Sequence, residues 1–385
     1  MQAHTEVNMS DIANESSNNY TGMDDSCGSD DAVTFQYYTW GIVANIVSAY
    51  GIIGNILSII VLRHRQMRNS TSYYLISLAV YDILLLLFMS LFLALPTIYL
   101  EKDVMEDYFF AYQYMHPYVY PIALIAQTGT VYTTLAFTVE RYIAVCKPLH
   151  AANTCTMSRT KRVIIFIFVA SIAYNIPRFL EYRTREDWSD AYNRTIPSIE
   201  FTAVGENQVF QEVYFIYLYL CIMFLIPFSL LTVLNILLIR AVNKARKTRN
   251  YMSSSNTKDT SLTVMLIVVI NVFLACQFPA LVDNIIVALF DYGDLKCSVQ
   301  WVRFTTISNL LVVVNSAVNF ILYCILSKRF RRVFLKIFRL KKSRPKYKFT
   351  VHNQSSVYIR NNLHLRNLGY GTRLTNYFEV TSSLL

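Results

Sequence analysis

Charge is scarce in this chain, and scarcity of charge is the first constraint on what it can be. Only 16% of the 385 residues are Asp, Glu, Lys or Arg, against 54% hydrophobic ones. Soluble domains carry about 25% charged residues, so a single water-facing core of this composition is excluded. Lysine and arginine are missing altogether from positions 1–39, which hold Glu6, Asp11, Glu15, Asp24, Asp25, Asp30 and Asp31. That gap argues against a nucleic-acid footprint despite the net charge of +10, because the cations cluster elsewhere. The first 35 residues also lack a basic start and an apolar core, so no cleavable signal peptide is expected and the first apolar run should direct membrane insertion. Histidine is sparse: His64, His116 and His150 stand alone in separate segments, which excludes a metal-dependent membrane hydrolase. No internal self-similarity pairs one half of the chain with the other, as a secondary transporter would require.

What the chain does have is long apolar runs. They cover Trp40–Leu62, Tyr73–Leu95, Met115–Val145, Val163–Leu180, Glu212–Ile239, Ser261–Phe290 and Trp301–Leu326. Each can cross about 30 Å of hydrocarbon at 1.5 Å per residue. Continuous runs without period-2 alternation select helices over a barrel. The expected fold is therefore an all-α membrane protein, a seven-transmembrane helix bundle. Basic clusters follow the first, third, fifth and seventh runs: Arg63, Arg65 and Arg68; Lys147, Arg159, Lys161 and Arg162; Arg240, Lys244, Arg246, Lys247 and Arg249; Lys328, Arg329, Arg331 and Arg332. These segments are read as cytoplasmic, with the N-terminus outside. The sequons at Asn8, Asn14, Asn19 and Asn193 fall on the external side and are expected to carry glycans, whereas those at Asn69 and Asn353 fall inside. The chain thus divides into an external glycosylated tail (1–39), the spanning bundle (40–326), an amphipathic juxtamembrane helix (327–340) and a disordered cytoplasmic tail (341–385).

Polar residues recur at set depths within the runs. Arg141, in Glu140-Arg141-Tyr142, closes a charge-free stretch from Tyr118 to Val139, and Asn55, Asp82, Asn315 and Asn319 punctuate others. With Gly54-Asn55, Leu78-Ala79-Val80-Tyr81-Asp82, Pro227, Phe273 to Pro279, and Asn315-Ser316 followed by Asn319 to Tyr323, the chain resembles the rhodopsin-like (class A) G-protein-coupled receptors over roughly residues 40–340. Within that class, the stretch from Glu140 to Leu149 and the segment Tyr174 to Glu181 resemble invertebrate FMRFamide-type neuropeptide receptors. The departures are specific. His116 stands where the class has a cysteine at the outer end of the third helix, and residues 178–211 contain no cysteine to pair with it. The fourth helix lacks the usual tryptophan, Gln277 stands at a common tryptophan position, and Phe320 replaces the seventh-helix proline. No lysine lies in Trp301–Leu326, so a retinal Schiff base is excluded.

The resemblance implies roles for individual residues. Glu140, Arg141, Tyr142, Asp259, Asn319 and Tyr323 are expected to govern activation and coupling to a heterotrimeric G protein, Arg141 pairing with either Glu140 or Asp259. Release of that pair would let the sixth helix swing outward. A lone carboxylate at mid-membrane needs partners, and Asp82 with Thr130, Asn315, Ser316 and Asn319 either holds an allosteric sodium ion or forms a water-mediated network around a protonated acid. No other cofactor is expected. Gln127 stands 14 residues before Arg141, roughly 21 Å along a helix, so a ligand signal must pass by helix movement. The ligand pocket is expected from Gln127, Gln277, Asp283, Asn284, Thr305 and Asn309, with Tyr99, Tyr118 and Tyr120 at its rim. Asp283 or Glu101 would pair with the arginine of an Arg-Phe-amide peptide, whose aromatic ring the tyrosines would stack. A chemosensory or small-molecule receptor of the same fold is the alternative. Cys27 and Cys297, the cysteines on the external side, either bridge the N-terminal tail to the third external loop or stay free.

Inside, Phe330, Val333, Phe334 and Ile337 fall on one face of a basic segment that should lie along inner-leaflet lipid. The tail offers Ser355, Ser356, Thr372, Thr375, Thr381, Ser382 and Ser383 to a receptor kinase and arrestin. Its end, Ser383-Leu384-Leu385, resembles a PDZ-binding terminus. The reading is a multi-pass plasma-membrane receptor, not an enzyme.

Overall fold

Backbone amides have no water to bond inside hydrocarbon, so apolar runs of this length resolve into helices. The computed structural model describes residues 30–98, 106–189, 194–251, 258–290, 298–338, 349–351 and 357–359. Seven helices among them are long and apolar enough to cross a membrane: α1 (Asp31–Arg63), α2 (Ser70–Ile98), α3 (Asp107–Cys146), α4 (Met157–Leu180), α5 (Gln208–Lys244), α6 (Thr263–Leu289) and α7 (Val299–Leu326). A shorter helix, α8 (Lys328–Ile337), follows after Ser327. Helix starts are set by side-chain caps. Asn69 accepts from the Ser72 amide at 2.8 Å, Ser298 from the Trp301 amide at 3.4 Å, and Thr156 from the Arg159 amide at 3.4 Å.

The spans extend beyond the apolar runs that announce them. The first helix begins at Asp31 rather than Trp40, because Ala32 is fully buried and packs with Val302 of α7. Two of the helices widen into π-type turns just ahead of a proline, in α2 at Ser90–Ala94 before Pro96 and in α5 at Leu220–Leu225 before Pro227. A proline supplies no amide to the preceding turn and its ring crowds the carbonyl there, which the extra residue relieves.

Between α4 and α5 lies a β-hairpin that an all-α reading does not contain. Strand β1 (Tyr182–Ser189) pairs antiparallel with β2 (Arg194–Phe201), with Tyr182 opposite Phe201 and Ser189 opposite Arg194. A hydropathy window finds no long apolar run here, since Ile196, Ile199 and Phe201 are separated by polar residues. The hairpin lies against α3: the Thr184 hydroxyl donates to the Gln113 carbonyl at 2.8 Å, and the Tyr114 hydroxyl donates to Glu186 at 2.7 Å.

In the bundle, α2 packs between α1 and α3, α7 touches α1, α2 and α6, and α5 bridges α3 and α6. Trp40, Ala44, Leu86, Ala94 and Val313 form a buried core where α1, α2 and α7 meet. Close approach is set by small residues. A Cβ placed on Gly51 would lie 2.8 Å from the Cα of Ala317, and one on Gly129 would lie 2.4 Å from the ring of Tyr81. Phe320, in place of the expected proline, packs on Phe330 of α8 at 6.1 Å between ring centroids and on Phe334 at 5.6 Å. It also meets the face of Gly54, where a Cβ would lie 3.0 Å away.

The chain divides into two compact units, Met1–Phe334 and Leu335–Leu385. In the second, read from sequence as a disordered tail, β3 (Phe349–Val351) pairs antiparallel with β4 (Val357–Ile359). Their β-branched and aromatic residues suit a strand.

Gly129→Ala should destabilise the protein by about 1–3 kcal/mol, because the rigid Tyr81 ring cannot give way. Thermal unfolding in detergent checks this: the melting temperature should fall, and Tyr81→Leu added to Gly129→Ala should recover part of the loss.

Candidate functional site

Three polar clusters interrupt the apolar interior, one at mid-bundle and one toward each end. At mid-bundle the Asp82 side chain of α2 is fully buried. Asn319 of α7 donates to its Oδ2 at 2.8 Å and Thr130 of α3 to its Oδ1 at 3.4 Å, with the Ser316 hydroxyl facing the same carboxyl. Asn55 ties α1 to this layer, donating to the carbonyls of Gly51 and Ser316 at 2.9 Å. Asn315 is buried on α7 but makes no hydrogen bond to Asp82 among the described residues. No basic side chain pairs with Asp82 among them either, so its charge is met by neutral donors alone.

At the end where α3 closes, Glu140 is the hub. Its Oε1 accepts from Ser70 at 2.5 Å, from Thr71 at 3.4 Å and from Nη2 of Arg141 at 2.8 Å. Its Oε2 accepts from Thr160 of α4 at 3.2 Å. Donors from α2 and α4 therefore converge on one acid of α3, and that acid holds Arg141. Of the two partners open to Arg141, Glu140 is the one it meets; Asp259 sits in the first turn of the helix Lys258–Leu289, and its side chain lies outside the described residues. Tyr323 is buried and packs on Phe330 at 5.6 Å, and Tyr142 is half-buried beside Arg141.

At the opposite end, where the hairpin lies, Asp283 of α6 accepts from the Thr305 hydroxyl of α7 at 2.6 Å. Gln277 is buried, Gln127 bonds Tyr219, and Asn309 is half-buried. Asn284 donates to its own helix, at the Ala280 carbonyl, 2.7 Å away. The two rim tyrosines on α3 part company. Tyr120 stacks on His116 at 5.3 Å with an interplanar angle of 8°, whereas Tyr118 is 67% exposed on the other side of the helix, as residues two apart must be. Tyr99, Glu101, Cys27, Cys297, Asn8, Asn14, Asn19 and Asn193 lie outside the described residues.

Two features at this end escape a reading of the sequence. The first is a buried ion pair, Arg178 to Glu181 at 3.2 Å, with 8% and 6% of the side chains exposed. Its guanidinium lies 4.0 Å from the Phe215 ring centroid and 5.4 Å from that of Tyr219. Burial pushes the Glu181 carboxyl above its ordinary range, with the Arg178 charge opposing. The signal was the i, i+3 spacing of opposite charges at an apolar helix end. The second is an aromatic contact in place of the missing cysteine bridge: His116 meets Tyr182, the first residue of β1, edge-on at 5.2 Å, and Tyr182 stacks on Phe201 at 4.9 Å.

Comparison with known proteins agrees with this architecture. A family model described as the seven-transmembrane receptors of the rhodopsin family matches residues 54–323. The FMRFamide receptor of Drosophila melanogaster is 36% identical over 326 residues, covering 84% of this chain. The chain spans 58% of that receptor's length. An FMRFamide peptide receptor of Caenorhabditis elegans is 32% identical over 76% of this chain and 68% of its own length. The thyrotropin-releasing hormone receptor of Gallus gallus is 26% identical over 83% of each chain.

Removing one partner of the buried pair should be costly. Arg178→Met is expected to destabilise the protein by about 3–5 kcal/mol, since Glu181 is left unpaired. The double variant with Glu181→Gln should regain most of that in thermal unfolding; a double variant as unstable as the single one would show that charge pairing is not the cause.

Proposed function

The chain belongs to the rhodopsin family of seven-transmembrane receptors, and from that premise we propose that it binds an extracellular peptide ending in amidated Arg-Phe and activates a heterotrimeric G protein. It is a multi-pass protein of the plasma membrane, and its family is one of receptors, not enzymes. The observation that carries the ligand class is the 36% identity to an FMRFamide receptor across 84% of this chain. The chemistry at the hairpin end supports it: an acid on α6 and a set of tyrosines suit a ligand that is cationic and aromatic. Asp283 is the acid assigned to the ligand's arginine, with Glu101 as a second.

The basic clusters after α1, α3, α5 and α7 orient the receptor with the hairpin outside and Arg141 inside. Agonist binding then favours an arrangement in which Arg141 leaves its partner, Glu140 or Asp259, and α6 moves outward to admit a helix of the G protein. Asp82 with Thr130, Ser316 and Asn319 offers hard oxygens around an acid that no basic side chain neutralises, chemistry suited to a small cation, and sodium is the ion assigned there. Asn315 completes the polar lining expected from sequence. Glycans on Asn8, Asn14, Asn19 and Asn193, a Cys27–Cys297 bridge, kinase and arrestin engagement of the tail, and PDZ binding at Leu385 belong to the same reading.

A calcium or cyclic-AMP assay in cells expressing the full chain tests the ligand class. Amidated Arg-Phe peptides should activate it, and the free-acid peptide or an Arg-to-Ala analogue should be weaker by about tenfold or more, the scale of one lost charge-assisted bond. Silence toward amidated peptides with a response to small chemosensory compounds would overturn the proposal.

Sodium is tested separately. Replacing sodium by a bulky organic cation should change agonist affinity by at least about fivefold in the wild type, and Asp82→Asn should abolish that dependence. Equal sodium sensitivity in both would remove the ion from the account.

A further inference from the structure

The Arg141 end of the bundle encloses a cavity of about 810 Å³. Four cationic side chains line it, Arg141 from α3 and Lys328, Arg329 and Arg332 at the start of α8. No described acid lines it, because Glu140 sits behind the wall with its oxygens already committed to Ser70, Thr160 and Arg141. Lys328 and Arg332 are exposed and make no hydrogen bond or ion pair among the described residues. Arg141 spends Nη2 on Glu140 and keeps a buried Nε without an acceptor. At the mouth, Ser327 accepts from the Phe330 amide at 3.2 Å, which leaves its hydroxyl proton free to donate. The remaining wall mixes apolar Leu62, Leu75 and Met265 with polar Asn69, Ser70, Thr71 and Ser72.

Such a cavity is too large for a single inorganic anion and within the range of a small-molecule site. Arg141 is paired with Glu140 and Arg329 donates to the Gln66 carbonyl, so among the described residues Lys328 and Arg332 are the lining cations left without an acceptor, and guanidinium forks match phosphate oxygens two at a time. An ordinary carboxylate would leave most of these donors unused. We propose that this cavity binds a polyol carrying clustered phosphomonoesters, the chemistry shared by phosphoinositide headgroups and soluble inositol phosphates. The proposal rests on the reading that this end faces the cytoplasm, where such anions occur, and it concerns binding alone. Occupation of the cavity ties α8 to Arg141 and so bears on the same end that couples to the G protein.

The test uses the purified full chain in phosphatidylcholine nanodiscs. Doping the discs with phosphatidylinositol bisphosphate should raise the unfolding temperature, and phosphatidylserine matched for total charge should not reproduce the rise. Soluble inositol trisphosphate added to undoped discs identifies the source: a rise there assigns the free anion, and a rise only with the lipid assigns the membrane. Lys328→Gln with Arg332→Gln should weaken apparent affinity by about tenfold or more, given the strength of charge-assisted bonds. Arg331→Gln, on the same helix but not lining the cavity, should leave it unchanged. Arg332→Lys keeps the charge and loses the fork, so an intermediate affinity is expected from a variant that folds like the wild type. An equal response to phosphatidylserine, or full binding by the Lys328→Gln, Arg332→Gln variant, overturns the proposal. Peptide-evoked signalling is measured in parallel: a receptor silent to every peptide would end the ligand reading and leave this binding result standing.

Discussion

A carboxylate sealed inside a helix bundle must be given hydrogens or a cation, and two buried acids of this receptor, Asp82 and Glu140, meet that demand differently. Glu140 takes hydroxyl donors from two helices, α2 and α4, and a guanidinium besides. Asp82 takes only neutral donors from α3 and α7. A saturated acid is a fastener, and Glu140 pins the ends of α2 and α4 to α3. An acid met by neutral donors alone is sensitive to ions or protons, and Asp82 sits where α2, α3 and α7 meet. The consequence for Arg141 is direct. Were Glu140 held by the arginine alone, pulling the pair apart would strand a buried charge at a cost of several kcal/mol. Ser70, Thr71 and Thr160 give the acid donors besides Arg141, so withdrawing the guanidinium would cost less than that.

Backbone accounting explains α5 in the same terms. Pro227 has no amide to give to the preceding turn. The widened turn at Leu220–Leu225 leaves carbonyls in that region in need of donors, and the Tyr132 hydroxyl of α3 donates to the Ile222 carbonyl at 2.9 Å. A side chain from one helix thus repairs the ladder of another. The repair also couples them: α5 cannot shift along α3 without breaking it.

The bundle was legible because its signals are long. Apolar runs, the alternation of basic loops and Gly54-Asn55, Asp82 and Glu140-Arg141 in order each span the chain, and α1 to α7 overlap the runs that announced them. What the residues could not show was partnership across sequence. Ser70 and Thr160 look like ordinary helix-start residues until the fold brings them to Glu140. Arg178 looks like a loop cation following Pro177, yet Phe215 and Tyr219 close over it. The hairpin was missed because its strands are short and wet on one side, and its anchor, His116, was read only as the absence of a cysteine. Asn284 went the other way: a polar residue at pocket depth spends its amide on Ala280 of its own helix.

The missing bridge changes how the hairpin can behave. A disulfide acts on the unfolded chain as well as the folded one and, where its geometry is unstrained, contributes typically 2–4 kcal/mol. Stacking acts only while the rings touch. Tyr182 on His116 and on Phe201, with Arg194 over Phe110 at 4.6 Å, contribute about 0.5–1.5 kcal/mol each beyond the area they bury. The hairpin is therefore closed by a sum of small terms, each of which can be lost in turn. Its root is another matter, because the buried Arg178–Glu181 pair and the Thr202 amide bonding the Glu181 carbonyl at 3.0 Å fix where the strands begin. The hairpin is thus fixed at its root by a buried ion pair and a backbone bond, and along its length by ring contacts and the Thr184 and Tyr114 hydrogen bonds.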